Sequence, residues 1–332
     1  MPKLIISYSP HIHSGDSINR RMWNVVIALV PALAVALLTF GLPALWVTLT
    51  SVAVCLLAEW AINRFLFHRP STLTNGSALI TGILLAFNLP SILPLWIVAI
   101  GAIVAIGIGK MSFGGLGCNI WNPALVGRVF LLLSFPAAMT TWPTGVESAY
   151  DGISGASAAS GATASADAST GATLLTYLNQ GKDSFADYNF LDMAVGQMNG
   201  SLGEVGGIAI LIGLVYLLAT RTITWHIPVS VIASAALFSW IFGGNPVLDI
   251  FAGGLLLGAV FMATDYVTSP MTHPGQLIFG FMIGFITILI RRFGAYPEGM
   301  SFAILLMNSF VPLINKYCRP SIFGAKERRG MA

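Results

Sequence analysis

The chain has 332 residues, 56% of them hydrophobic and 9% charged, with a formal net charge of +3 and a mean hydropathy of +0.81. So few polar groups cannot cover a water-facing surface, which excludes a soluble globular protein and points to an integral membrane protein. Cys55, Cys118 and Cys318 are scattered, without Cys-x-x-Cys or Cys/His spacing. They support neither a disulfide framework nor a metal centre owned by this chain, and no nucleic-acid partner is implied.

The first 23 residues are mixed, holding Lys3, Arg20 and Arg21, and no Ala-x-Ala cleavage site marks a removable targeting peptide. Hydrophobic runs then recur at about 24–40, 44–62, 76–89, 92–109, 122–140, 205–219, 226–242, 250–263, 276–290 and 300–315, which predicts an all-α membrane protein of about ten transmembrane helices. A spanning helix needs roughly 20 apolar residues. The third and eighth runs fall short and end at Asn88-Leu89-Pro90 and Thr264-Asp265, so they are expected to be half-helices.

Twelve of the sixteen Lys and Arg residues fall on one side if the N-terminus is cytoplasmic, the orientation that the excess of basic residues inside specifies. Both termini are then cytoplasmic, in a bacterial inner membrane. Residues 141–204 form an outer loop carrying seven acidic residues and a single lysine, Lys182. Five runs precede that loop (1–140) and five follow it (205–332). Ala78–Ala86 weakly echoes Phe251–Ala259, and an odd number of spans per copy would make the two halves inverted repeats with their short helices flanking a midplane site.

Several residues stand out along the chain. Glu59, near a helix end, is placed to reach the interface. Lys110–Pro123 is a Gly-rich turn with two asparagines that fits a simple turn into a helix or a place beside a flavin or ion path; it is no phosphate loop, because Val104 and Met111 occupy the positions where that motif needs Gly and Ser/Thr. Arg128 lies inside a predicted span, where an ionisable group needs a cavity or a partner. Asp265 follows the second short helix and, with the freed carbonyls of a broken helix, is a candidate for an ion path, with capping or loop solvation as the plainer role. Arg291 and Arg292 fall on the outer side against the charge bias and need a counter-charge, either an anionic phosphate, Glu298 or lipid headgroups. The Ser/Ala/Gly-rich tract of the outer loop reads by composition as a linker.

These segments together resemble the NqrB/RnfD family of redox-driven membrane proteins. The resemblance runs over most of the chain. It rests on Ser9-Pro10-His11, Thr74–Gly82, the Gly114–Pro123 turn, Gly203-Glu204, Thr224–Pro228, Thr264-Asp265 and Phe302–Asn308. It implies a urea-transporter-like fold of two inverted five-helix repeats, in a translocase that couples electron flow to Na+ or H+ movement. It also implies FMN joined through its phosphate to a threonine of Asp-x-x-(Ser/Thr)-Gly-Ala-Thr, here Asp167, Thr170, Gly171, Ala172 and the acceptor Thr173. The attachment needs a flavin transferase, and Leu174 stands where the family commonly has proline. Thr163 and Ser157, in partial repeats of the motif, remain alternative acceptors. The family further implies a possible second, non-covalent riboflavin, and partnership with the A, B, C, E and G components of the Rnf complex, the ion-motive ferredoxin:NAD oxidoreductase. The short N-terminal segment favours the Rnf branch over the quinone-reductase branch (NqrB), and a flavin-free channel or secondary transporter of the same fold is the competing class.

Overall fold

The computed structural model describes residues 16–69, 72–142, 200–204, 206–294 and 298–319. Among them the regular structure is helical throughout, with no strand. Helix α1 (Ile18–Phe40) starts earlier than its apolar run because the Ser17 hydroxyl caps it, accepting from the Arg20 N–H at 3.2 Å. Gly41, at φ +66°, turns the chain into α2 (Leu42–Ala61), which continues as a π-helical turn over Ile62–Leu66. The short helix α3 (Ser77–Phe87) follows, then α4 (Leu95–Gly107) and α5 (Pro123–Ser134). Asn122 caps α5 and Pro123 occupies its first turn. The run expected to reach residue 140 breaks at Phe135, because Pro136 cannot donate to the preceding turn; a single turn, α6 (Pro136–Met139), lies beyond it.

The second half begins with α7 (Gly207–Ala219) and α8 (His226–Ile241). The eighth predicted run is divided. Helix α9 (Pro246–Phe251) ends at a turn in which Gly253 and Gly254 have φ +66° and +64°. After it come α10 (Leu255–Leu257) and a π-helical turn over Gly258–Met262. The long helices α11 (His273–Phe293) and α12 (Gly299–Tyr317) close the described chain. Among the described residues, four stretches are long and apolar enough to cross a membrane: Ile18–Phe40, Leu42–Leu66, Leu95–Phe113 and His273–Phe293. Large apolar side chains face outward along the helices, Leu38, Leu57, Val215 and Trp240 among them, as a hydrocarbon surround permits.

One order of packing occurs twice. Helix α2 packs on α3 and α4, and α4 packs on α5; likewise α8 packs on the π-helical turn after α10 and on α11, and α11 on α12. Contacts of α1 with α7 and of α5 with α12 join the halves. Each short helix is preceded by a glycine in the left-handed region, Gly76 at φ +73° and Gly254 at φ +64°, so the structural match pairs Ser77 with Leu255. That register differs from the sequence echo, which placed the Phe251–Gly254 turn opposite helical residues.

Close backbone approach sets the packing inside each half. A Cβ on Gly82 would lie 2.7 Å from Val52 Cα, so α2 and α3 touch through backbone rather than side chains. Gly107, by contrast, has open space at that position. Gly82→Ala is therefore expected to destabilise the chain by about 1–3 kcal/mol, while Gly107→Ala leaves it unchanged or slightly firmer; thermal unfolding of the purified variants in detergent checks the pair.

Candidate functional site at two broken helices

A helix that stops within an apolar surround leaves peptide groups that need partners. At the end of α3, the Phe87 carbonyl accepts from Gly203 N at 2.7 Å and the Leu89 carbonyl from Leu202 N at 3.3 Å. Leu202 and Gly203, just before α7, are thus hydrogen-bonded to the broken end of α3. Asn88 folds back, its Nδ2 donating to the Leu84 carbonyl at 2.6 Å and lying 3.6 Å from Met262 Sδ at the end of the other short helix. Asn122 Nδ2 donates to the Met262 carbonyl at 3.2 Å. Gly203 is required here, since a Cβ would meet Leu257 and Phe87 within 2.8 Å.

Arg128, on α5, reaches this point. It is 4% exposed; Nη1 donates to Asn88 Oδ1 at 2.8 Å and to Ser301 Oγ at 2.7 Å, and Nη2 pairs with Glu298. One guanidinium therefore ties α3, α5 and the start of α12 together. Glu204, in the connection before α7, is buried between Arg128 and Arg291 and bonded to Ser201. Burial pushes its carboxyl up from the ordinary range, and Arg128, Ser201 and Arg291 hold it back.

The starts of the two short helices carry matching charged clasps. At α3, Lys110 Nζ lies 2.6 Å from Glu59 Oε2 and donates to Ser77 Oγ at 2.7 Å, with Thr72 donating to Glu59 Oε1 at 2.5 Å. At α10, Arg291 donates to the carbonyls of Asp249, Ala252 and Gly253, the last two at 2.8 and 3.2 Å. Arg292 pairs with Asp249 Oδ2 at 3.0 Å, and Ser239 donates to the same oxygen. Lys110, just past the end of α4, and Arg291, in the last turn of α11, thus hold the entries to α3 and α10.

These placements revise the sequence reading. Glu59, expected at the interface, is 1% exposed, and Lys110, counted among the cytoplasmic cations, is 2% exposed. The counter-charge for Arg291 and Arg292 is Asp249 rather than Glu298, which belongs to Arg128. Asp249 lies between the runs expected at 226–242 and 250–263 and was not singled out by the sequence. The acceptor motif of Asp167, Thr170, Gly171, Ala172 and Thr173, with Thr163 and Ser157, lies outside the described residues.

Asp265 stands apart from the cluster around Arg128. It receives hydrogen bonds from Thr268 (3.2 Å), Asn119 and the backbone N–H groups of Tyr266 and Val267, and no cation pairs with it among the described residues. It lines a cavity of about 90 Å³ whose polar side is formed with Ser77, Thr81, Lys110, Asn119 and Asn122, the remaining walls being largely apolar. An apolar chamber with a few convergent polar groups suits an uncharged, partly polar small molecule or a partly dehydrated cation.

The geometry defines a helical membrane protein built around two interrupted helices whose ends meet through buried polar groups. The sequence model of the NQR2, RnfD, RnfE family matches residues 5–324, and the chain belongs to that family. It is 42% identical over 326 residues (97% of this chain, 95% of the relative) to the D subunit of the Na(+)-translocating ferredoxin:NAD(+) oxidoreductase complex of Acetobacterium woodii. It is 40% identical over 330 residues (97% and 96%) to the D subunit of the proton-translocating ferredoxin:NAD(+) oxidoreductase complex of Clostridium ljungdahlii. With the D subunit of the ion-translocating oxidoreductase complex of Stutzerimonas stutzeri it shares 41% over 333 residues, 94% of each chain.

A buried charge left without its partner costs about 3–5 kcal/mol. Lys110→Met and Arg291→Met should each lower stability by roughly that amount, and adding Glu59→Gln to Lys110→Met should restore much of it. Denaturation of the four proteins in one detergent gives the comparison; a double variant no better than Lys110→Met would contradict the pairing.

Proposed function

We propose that this chain is the membrane electron-transfer component RnfD of an ion-pumping ferredoxin:NAD oxidoreductase (Rnf) complex, coupling electron flow to Na+ or H+ translocation. The single observation that carries the reading is near-full-length similarity, at 40–42% identity, to relatives named as that component. Those two relatives are named for different ions, so the choice of ion stays open. Residues 1–140 and 205–332 would form two inverted five-helix repeats of a urea-transporter-like bundle around the outer loop 141–204, with both termini on the cytoplasmic side of a bacterial inner membrane. The recurring packing order and the paired short helices support this arrangement.

In this reading Thr173 carries FMN as a phosphoester, with Asp167, Thr170, Gly171 and Ala172 as the signature that a flavin transferase recognises. The flavin supplies the electron-carrying chemistry, and the chain supplies position and charge. A second, non-covalent flavin such as riboflavin is a further expectation of the family reading, with no residues of this chain assigned to it. Ferredoxin and NAD would dock on the A, B, C, E or G components, because this chain carries no motif for either. Arg128, Arg291 and Arg292 hold the helix ends through protein partners, so their role is positioning. Asp265, a carboxylate beside a cavity with no cation paired to it among the described residues, would face the moving cation.

Two experiments test the reading. Denaturing-gel ultraviolet fluorescence of the chain, co-expressed with a flavin transferase, should show a fluorescent band that Thr173→Val abolishes. A band retained in the variant moves the acceptor to Thr163 or Ser157, and a wild-type chain that never fluoresces favours a flavin-free transporter. In membrane vesicles holding the complex, Asp265→Asn should reduce ion uptake per electron while leaving the covalent flavin in place; unchanged coupling would remove Asp265 from the ion path.

A further inference from the structure

A second and larger cavity, of about 430 Å³, lies where the start of α1, the α7–α8 connection and the start of α11 meet. It shares Ile223, Thr264 and Tyr266 with the cavity at Asp265. Its wall includes Arg21, Arg221, Thr222, Thr224, Ser269 and Gln276, and none of its described lining residues is acidic. Basic residues bias this face toward the cytoplasm.

The two arginines are drawn together by the fold. Arg21 donates to the carbonyl of Arg221 and pairs with Asp16 at 2.5 Å. Among the described residues no carboxylate pairs with Arg221, which is exposed and held at φ +51°. Ile227 and Gln276, in the first turns of α8 and α11, also line the cavity, so the positive ends of two helix dipoles lie against it. The Thr224 hydroxyl donates to Gln276 Oε1 at 2.9 Å and the buried Thr222 hydroxyl is shared with Asn24 and Thr220, so Ser269 supplies the wall's further hydroxyl donor. Two cations, two helix starts and the Ser269 hydroxyl, without an acidic residue among the described lining, form a concave site for an anion with several oxygens.

We propose that this vestibule binds a phosphate-bearing anion, with Arg221 as its principal ligand. Guanidinium binds phosphate through two parallel hydrogen bonds, which a lysine cannot reproduce. A phospholipid headgroup entering from the inner leaflet and a free phosphate group share that chemistry. Bound beside Tyr266, the anion would fill the space through which the Asp265 cavity meets the cytoplasmic face.

The test uses the full chain purified in detergent and stripped of lipid. Binding is read by thermal shift and by native mass spectrometry, with inorganic phosphate in one arm and vesicles of phosphatidylglycerol or phosphatidylcholine in the other. Arg221→Gly removes the cation while supplying the residue that the left-handed backbone favours, so this variant should fold. Wild type should bind phosphatidylglycerol in preference to phosphatidylcholine if the source is lipid, or inorganic phosphate if it is free. Either affinity should fall by about tenfold or more in Arg221→Gly, partly return in Arg221→Lys, and stay unchanged in Arg64→Ala on the same face. No binding in either arm, binding in Arg221→Gly equal to wild type, or an equal loss in Arg64→Ala would overturn the proposal.

Discussion

The unmet hydrogen bonds of helices that stop inside an apolar surround organise this molecule. A continuous spanning helix satisfies its own backbone, whereas α3 and α10 expose ends where water is scarce. The chain answers each end with a side chain or stretch of backbone from elsewhere: Leu202 and Gly203 at Leu89 and Phe87, Asn122 at Met262, Arg291 at Ala252 and Gly253. Those partners come from distant points in sequence. The broken helices therefore fix the positions of α5, α11 and the loop closure as well as their own.

Charge follows from the same need. Carbonyls left free at the end of α9 are well served by the Arg291 guanidinium, but a buried cation requires a carboxylate, and each clasp contains one, Glu59 or Asp249. The clasps differ in kind. The planar fork of Arg291 spans several carbonyls at once. Lys110 offers a point charge to one carboxylate and one hydroxyl, and it also lines the cavity that contains Asp265. The Arg291 clasp is thus closed upon protein, while the Lys110 clasp borders the cavity beside Asp265.

Hydropathy made the helices legible, and the shortness of two runs marked the broken ones. The turn at Ala252–Gly254 was not legible from hydropathy, because a Gly-Gly pair between apolar residues scarcely lowers the local average. Pairings were hidden for a different reason. Arg128 meets Ser301 across 173 residues and Lys110 meets Glu59 across 51, separations that no periodicity encodes. Single ionisable residues in apolar runs were nevertheless a usable signal: Arg128 and Glu59 both prove buried and paired. Reading Glu59 as interfacial failed because proximity to a helix end was weighed above the cost of leaving its charge unpartnered.

The loop closure has a mechanical consequence. Gly203 is wedged between Phe87 and Leu257, and its N–H holds the broken end of α3. Next to it Glu204 sits between arginines belonging to opposite halves of the chain. A displacement of residues 202–204 cannot then be absorbed locally, since moving Gly203 frees a carbonyl and moving Glu204 unbalances two guanidinium groups. Under the proposed electron-transfer role, this makes residues 202–204 a direct covalent and hydrogen-bonded route from the flavin-bearing loop to the helix ends that border the bundle centre. A loop attached through flexible sequence alone would hold a cofactor equally well but could not transmit its position to those ends.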